Sequence, residues 1–197
     1  MRRAQQKSAA PPRSDWCTPT NVINTLEQFA GQVLLDPATN VRSQVRAKLN
    51  WVRPGDELDP SFVVREAGKY RKWIHQDGLE ADWVQSLELN PSVPRNLIYV
   101  NPPYGRKENK AWARKIREQA SLLPRNLSIV ALVPANTETN WFAEYWNEAD
   151  VICFVRGRLK FQGAEHVADF ASALVYFGVA RSEFRSYFHA LGKCIEP

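Results

Sequence analysis

Residues 97–105 read Leu-Ile-Tyr-Val-Asn-Pro-Pro-Tyr-Gly. Four residues of β-type lead directly into Asn101 and two prolines, and a proline has no backbone N–H to donate to a sheet ladder. A buried strand is therefore predicted to end here and to pass into a rigid surface loop. Open α/β sheets bind their ligands at the carboxyl ends of strands, so this loop is the first candidate for a functional site.

The loop contains groups that suit a planar partner with an amino group. Asn101 supplies a side-chain carbonyl oxygen, Pro102 and Pro103 supply backbone carbonyls, and Tyr104 supplies a flat ring. Acceptors beside a π-face fit an exocyclic amine of a nucleobase or a carboxamide. The simpler interpretation is a strand that ends at prolines and continues as an ordinary turn, and the flanking sequence has to distinguish the two.

The size and composition are those of one globular domain. The chain has 197 residues, of which 44% are hydrophobic, and neither a membrane-spanning run nor a signal peptide is visible. The three cysteines and three histidines are scattered along the chain, which fits neither a disulfide framework nor a metal site. We therefore expect a cytoplasmic protein with reduced cysteines and no metal.

Positive charge is concentrated at the start of the chain, which has a net charge of +5. Residues 1–14 contain Arg2, Arg3, Lys7 and Arg13, no acid and two prolines. This composition predicts a disordered basic arm, followed by a single domain over residues 15–197. The arm is either a tail that contacts phosphates or a solubilising terminus.

The domain is predicted to open with a helix and a buried strand. Thr18 is a good N-cap and Pro19 a good first helical residue, and Gly31 is a typical helix end. Val33-Leu34-Leu35-Asp36 then predicts a short strand that ends in an acid, followed by Pro37-Ala38.

Residues 41–75 interleave basic and aromatic residues. Val41, Val45 and Leu49 have helical spacing, and Asp59-Pro60 suits the start of another helix. Such a mixture fits nucleic-acid contact, and it equally fits a solvated helix face over core aromatics. Asp77 follows, before a glycine turn, where it is an ordinary turn residue by local chemistry.

Strands and helices alternate through the rest of the chain. We predict a helix from residue 106 to 123 and strands at residues 127–133, 151–155 and 170–177, the last strand. Between the last two strands, Arg156-Gly157-Arg158-Leu159-Lys160-Phe161 would place three cations on one side of a strand or hairpin. These cations either contact phosphate or protect a sheet edge from pairing.

Five of these motifs together resemble a known family. Asn101-Pro102-Pro103-Tyr104 is similar to the catalytic motif of amino-methyltransferases that use S-adenosylmethionine, above all the DNA adenine-N6 type. The order of the motifs over residues 15–178 resembles phage and prophage DNA N6-adenine methyltransferases of the Dam-like family. The other four motifs are Thr18-Pro19, Asp36-Pro37-Ala38, Asp77-Gly78-Leu79 and Gly157-Arg158-Leu159-Lys160-Phe161. The chain departs from the usual cofactor motif at residues 39–41, where Thr-Asn-Val replaces a Gly-x-Gly turn.

The resemblance implies an α/β protein with the Rossmann-like class I methyltransferase fold, a mostly parallel sheet with an antiparallel last strand. It implies an adenine-specific DNA methyltransferase with S-adenosyl-L-methionine as cofactor and DNA as partner. The implied catalytic residues are Asn101, Pro102, Pro103 and Tyr104. The implied cofactor-binding residues are Thr18, Pro19, Asp36, Pro37, Ala38, Asp77 and Asn101, and the implied DNA-binding residues are Arg156, Arg158, Lys160, Arg106 and Lys107.

The chemistry of such a loop needs few groups. Asn101 and the Pro102 carbonyl hold the two hydrogens of an adenine amine, while the base is flipped out of the duplex and stacks on Tyr104. Cytosine-N4 and RNA-adenine methylation use the same geometry, and the Asn-Pro-Pro-Tyr motif also occurs in glutamine methyltransferases that act on proteins. A non-catalytic DNA-binding relative is the remaining alternative, because the cofactor motif lacks its glycines.

Overall fold

The computed structural model describes residues 16–56, 65–66, 69–89, 93 and 95–197. The predicted arm over residues 1–14 and the predicted helix start at Asp59-Pro60 lie outside this part of the chain. The helices are α1 (Thr20–Ala30), α2 (Arg106–Ala120), α3 (Ala143–Glu148) and α4 (Arg181–Phe188). The strands are β1 (Val33–Thr39), β2 (Ala47–Val52), β3 (Arg65–Glu66), β4 (Lys69–Tyr70), β5 (Lys72–His75), β6 (Asn96–Val100), β7 (Leu127–Pro134), β8 (Val151–Val155), β9 (Ser172–Phe177) and β10 (Gly192–Ile195).

Eight strands form one sheet in the order β10-β8-β9-β7-β6-β1-β2-β5. The run from β7 to β5 is parallel throughout. Strand β9 is antiparallel to both β7 and β8, and β10 is antiparallel to β8. The predicted fold is therefore confirmed: the protein is α/β, with a mostly parallel Rossmann-like sheet and antiparallel pairing of its last strands.

Helices cover both faces of the sheet, and alternate residues of each central strand point to opposite faces. On β6, Leu97 and Tyr99 belong to the hydrophobic cluster that includes α1 and α4. Ile98 and Val100 belong to the cluster that includes α2 and α3. Because β6 is buried on both faces, each of its large side chains contributes about 1.5–3 kcal/mol of burial free energy, and the end of this strand is held firmly in place.

Residues 47–52 form a strand, so the prediction of a helix with Val41, Val45 and Leu49 on one face is wrong. Strand β2 lies between β1 and β5, and its backbone groups pair with both neighbours. Trp51 and Val52 are buried in this interior position. Tertiary pairing therefore overrides the i, i+4 spacing of the apolar residues.

Three smaller predictions are also corrected. Helix α1 starts at Thr20, with Pro19 at the N-cap position and no side-chain cap, because the Thr18 hydroxyl bonds to the Tyr99 hydroxyl at 2.9 Å instead. Residues 156–161 form an irregular loop and not a strand, because Gly157 turns the chain at a φ of 74° directly after β8. A further strand, β10, follows the predicted last strand.

None of the helices in the described ranges is both long and apolar enough to cross a bilayer.

Candidate active site

The loop over residues 101–104 emerges from the centre of the sheet. It joins the carboxyl end of β6 to the first turn of α2, which begins at Arg106. Because β1, β2, β5 and β6 are parallel, the segments that follow them meet at this same edge. The edge is the position that open α/β sheets use for ligands.

Asn101 is fixed by two hydrogen bonds to distant parts of the chain. Its Nδ2 donates to the backbone carbonyl of Trp16 at 2.7 Å, and its Oδ1 accepts from the Tyr104 hydroxyl at 2.7 Å. An amide oxygen has two lone pairs, so one remains for a further donor. The neighbouring Pro102 carbonyl accepts no hydrogen bond from the described residues. The loop thus holds two acceptors in defined positions.

Tyr104 is buried, with 6% of its surface exposed. Its hydroxyl also donates to the Leu132 carbonyl at 3.2 Å. Its ring makes edge contacts with Phe170 at a centroid distance of 5.4 Å and with Trp16 and Phe161 at 6.1 Å. Burial raises the pKa of this phenol well above its ordinary value. Tyr104 is therefore a neutral hydrogen-bond donor at any physiological pH.

A cavity of about 450 Å³ lies beside the loop. The carboxyl ends of four parallel strands contribute to it: Pro37 and Ala38 lie within β1, and Arg53, Asp77 and Pro103 follow β2, β5 and β6. Strand β1 thus continues to Thr39, beyond its predicted end at Asp36. A cavity of this size at a strand edge fits a nucleoside-type ligand. The same tetrapeptide thus supplies the two acceptors and one wall of the cavity.

The loop around Asp77 is held against α2. Asp77 Oδ1 accepts from the Leu79 amide at 2.9 Å, and the indole of Trp83 donates to the Gly78 carbonyl at 2.7 Å. Gln119 of α2 accepts from the Trp83 amide at 2.7 Å. Gly78 lies so close to β1 that a Cβ there would collide with the Pro37 carbonyl. Asp77 is consequently positioned at the cavity by a rigid turn.

Two tryptophans line the cavity, Trp51 and Trp112. Trp51 is 2% exposed, and its indole Nε1 has no hydrogen-bond partner among the described residues. A buried donor without a partner costs about 1–3 kcal/mol, and because this nitrogen has almost no accessible surface, it does not face the open cavity.

A buried polar chain lies beneath the site. Asp36 is 2% exposed, and its Oδ1 accepts from the Ala38 amide at 3.1 Å. Burial raises the pKa of Asp36 to about 7. Burial also raises the pKa of Tyr99, and the negative charge of Asp36 raises it further. The Tyr99 hydroxyl forms a hydrogen bond with the Thr18 hydroxyl. Of the predicted cofactor residues, Pro37, Ala38 and Asp77 line the cavity, whereas Thr18, Pro19, Asp36 and Asn101 do not.

Three of the predicted DNA-binding residues meet in one groove of about 360 Å³. Arg156, Arg158 and Lys160 are exposed and line it together with Pro19 and Leu191. Arg106 and Lys107 do not line it; both are exposed on the first turn of α2, shortly after the loop at residues 101–104. A larger cavity, of about 890 Å³, lies at the amino end of β7, the opposite edge of the sheet.

Trp16, Trp51 and Trp112 were not predicted as site residues. Trp16 acts through its backbone carbonyl, which has no signature in a sequence. Trp51 and Trp112 are aromatic residues of a kind that fills any core, and only their place beside the cavity distinguishes them.

The model of the DNA N-6-adenine-methyltransferase (Dam) family matches residues 65–177, more than half of the chain. The chain belongs to this family. The match contains Asp77, the loop at residues 101–104 and the basic groove residues, and it ends with β9. This Dam family member is a DNA methyltransferase specific for the N6 amino group of adenine. The family match thus favours adenine in DNA over the cytosine, RNA and protein substrates considered above.

Solved structures resemble the Dam family member only distantly. A precorrin-8W decarboxylase from Methanobacterium thermoautotrophicum is 16% identical, with a TM-score of 0.40, over 82% of this chain and 91% of its own. A Legionella pneumophila protein is 15% identical, with a TM-score of 0.45, over 90% and 74%. A predicted N6-adenine-specific DNA methylase from Listeria monocytogenes is 13% identical, with a TM-score of 0.32, over 72% and 33%. No curated protein is significantly similar in sequence.

Proposed function

We propose that the protein transfers the methyl group of S-adenosylmethionine to an adenine that is flipped out of duplex DNA into the loop at residues 101–104. The observation that supports this most directly is the double role of that loop. Asn101 and Pro102 offer acceptors for an amine, while Pro103 forms part of the cavity wall. A methyl donor in the cavity and an amine on the loop would thus be neighbours.

The cavity has an acceptor and aromatic surfaces that suit S-adenosylmethionine. Asp77 would accept from the adenine amino group of the cofactor, and the rings of Trp51 and Trp112 would offer it an aromatic surface. Pro37 and Ala38 allow close approach at the end of β1, where glycines are absent. Thr18 and Asp36 lie beneath the site, so we assign them to supporting the walls of the cavity. When bound, the cofactor supplies an activated methyl group on its sulfonium.

Asn101 and Pro102 act on the target amine. An adenine amine is a poor nucleophile because its lone pair is delocalised into the ring. The free lone pair of Asn101 Oδ1 and the Pro102 carbonyl hold its two hydrogens and favour a pyramidal nitrogen. Trp16 and Tyr104 keep the Asn101 amide in the required orientation. Most of the rate enhancement then comes from positioning and from fixed dipoles.

We retain Tyr104 as the stacking partner of the flipped base. Its ring is covered by Trp16, Phe161 and Phe170. Because Trp16 and Phe170 are only half-buried, we expect them to move aside when a base enters. Stacking of a base on an aromatic ring contributes about 1–3 kcal/mol, which offsets part of the cost of flipping.

The groove with Arg156, Arg158 and Lys160 is the proposed phosphate contact, with Arg106 and Lys107 beside the catalytic loop. The arm residues Arg2, Arg3, Lys7 and Arg13 are a further proposed contact. From the motif order we also propose a phage or prophage type of enzyme that acts in the cytoplasm of a bacterial host.

The direct test is transfer of tritiated methyl groups from S-adenosylmethionine to unmethylated duplex DNA, followed by nucleoside analysis. The expected product is N6-methyladenine. Label in N4-methylcytosine, or transfer to RNA but not to DNA, would contradict the proposal. Binding of the cofactor without any transfer would identify a non-catalytic relative.

A further inference from the structure

Cys153 and Cys194 face each other across an antiparallel strand pair. They are register partners on β8 and β10, and both are free thiols. The Arg156 amide donates to the Leu191 carbonyl at 2.9 Å, which marks these two residues as a hydrogen-bonded pair of the ladder. Pair types alternate along an antiparallel ladder, so Cys153 and Cys194 form a non-hydrogen-bonded pair. Such pairs have Cα atoms about 4.5 Å apart and closely spaced side chains, which is within the range that a disulfide spans.

The surroundings of the two thiols differ. Cys153 is fully buried, whereas Cys194 is half-buried. A hydrogen bond between the two thiols, together with burial, raises the pKa of Cys153. The same hydrogen bond lowers the pKa of Cys194, and the positive charges of Arg185 and Lys193 lower it further. Cys194 is thus the thiol that solvent-borne reagents reach first, and Cys153 is the buried partner behind it.

We propose that Cys153 and Cys194 form a reversible disulfide by exchange with a small-molecule disulfide such as oxidised glutathione. The Cys194 thiolate attacks one sulfur of the oxidant, forms a mixed disulfide and releases one glutathione thiolate. Cys153 then loses its proton to solvent and attacks the Cys194 sulfur. This step breaks the mixed disulfide and releases the second glutathione. Two protein thiols are oxidised, and one glutathione disulfide is reduced to two thiols.

The disulfide would cross-link the edge strand β10 to the interior strand β8. Strand β10 is the edge strand of the described sheet and pairs with β8. Its start at Gly192 follows directly on Ala190 and Leu191, which line the basic groove. Strand β8 ends at Val155 on the other side of the same groove. A cross-link two residues into β8 and β10 would therefore restrain both walls of the groove. Neither cysteine lines the cavity beside the catalytic loop.

The test is incubation of the full chain with oxidised glutathione, followed by peptide mass mapping without reduction. The wild type should yield a peptide linked through Cys153 and Cys194, and its Cys17 thiol should stay unmodified. Cys17→Ser should behave like the wild type. Cys153→Ser should stop at a glutathione adduct on Cys194, and Cys194→Ser should leave Cys153 unmodified. A stable glutathione adduct on wild-type Cys194, a link through Cys17, or an absence of reaction would each overturn the proposal.

A thermal measurement tests the structural consequence. The disulfide would close a loop between residues 153 and 194, and a loop of this length predicts a rise in Tm of about 5–10 °C that dithiothreitol reverses. Cys194→Ser should show no such shift. If the linked peptide formed without a rise in Tm, the inference that the disulfide restrains the sheet edge would be wrong. Cofactor affinity should not change on oxidation, so the outcome does not depend on the proposed function.

Discussion

At the residue scale, two roles are proposed for Tyr104: its hydroxyl, which donates to Asn101 Oδ1, would orient that amide, and its ring would stack on the target base. Tyr104→Phe keeps the ring and removes the hydrogen bonds to Asn101 Oδ1 and the Leu132 carbonyl. A hydrogen bond of this kind contributes about 1 kcal/mol, so we expect kcat to fall about 5-fold with little change in KM for DNA. Steady-state kinetics measure this, and Tyr187→Phe, at an exposed tyrosine, is the matched control. An unchanged kcat in Tyr104→Phe would show that the hydroxyl does not orient Asn101.

Asp36 makes the stability of the protein depend on pH. Burial raises its pKa from 3.8 to about 7, so the folded state binds a proton more tightly than the unfolded state. The contribution of Asp36 to the free energy of unfolding is therefore complete below pH 3.8 and is lost as the pH rises through about 7. A pKa difference of one between the folded and unfolded states corresponds to about 1.4 kcal/mol, so the loss amounts to about 4 kcal/mol.

Asp36→Asn should abolish that dependence. Without cofactor, we expect the variant to be more stable than the wild type above pH 7 and to have a flatter stability profile between pH 4 and 7. Denaturant titrations across this range measure both. If the stability of the wild type and of Asp36→Asn depended on pH in the same way, Asp36 would not be the source of that dependence.

At the scale of elements, the turn over residues 77–79 must approach β1 closely to complete the cavity. Gly78→Ala would push the Pro37 carbonyl and Trp112 away. Overpacking of this kind costs about 1–3 kcal/mol, and the cavity that Asp77 lines would open. We expect a lower Tm and a weaker affinity for S-adenosylmethionine by calorimetry.

Gly105→Ala is the control for that substitution. Its backbone is extended, and an added Cβ would meet only the flexible end of Glu108. If Gly105→Ala and Gly78→Ala lowered the Tm equally, the close approach at Pro37 would not be the cause.

The loop after β8 is the element that should hold DNA. Each phosphate contact lowers the slope of log affinity against log salt by about 0.9. The double variant Arg158→Ala/Lys160→Ala should therefore flatten the slope by nearly two units and weaken DNA binding, while cofactor affinity stays unchanged. Arg114→Ala/Arg125→Ala removes the same charge at the opposite edge of the sheet and should keep the wild-type slope. If Arg158→Ala/Lys160→Ala kept the wild-type slope, the basic residues between Arg42 and Lys72 would become the better candidates for the DNA-binding surface.

At the scale of the whole molecule, the predictions that held were those with a strong local cause. Strands buried on both faces, such as Leu127–Pro134 and Val151–Val155, are continuous apolar runs, and the prolines at 102 and 103 mark the end of β6. The helix predicted over 41–49 failed because strand pairing on both sides, which no local pattern encodes, determines β2.

The site itself was predictable in part for the same reason. Pro37 and Ala38, in the last part of β1, and Asp77, after β5, lie at the sheet edge that the alternation of elements predicts, and they meet at one cavity. The hydrogen bond from Asn101 to the Trp16 carbonyl joins residues 85 positions apart. Nor does the sequence indicate that Tyr104 is covered by three aromatic rings. Contacts of this range depend on packing and become visible only in the folded chain.

Methyl transfer by Asn101→Ala in a single turnover, with the cofactor saturating, tests the central claim most directly. If Asn101 is the acceptor for the target amine, the rate of N6-methyladenine formation should fall by about 10²–10³-fold. The Kd for S-adenosylmethionine, measured on the same preparation, should stay near that of the wild type, because Asn101 does not line the cavity. A wild-type rate of transfer, or a loss of rate that a weaker Kd fully explains, would contradict the assignment of residues 101–104 as the catalytic loop.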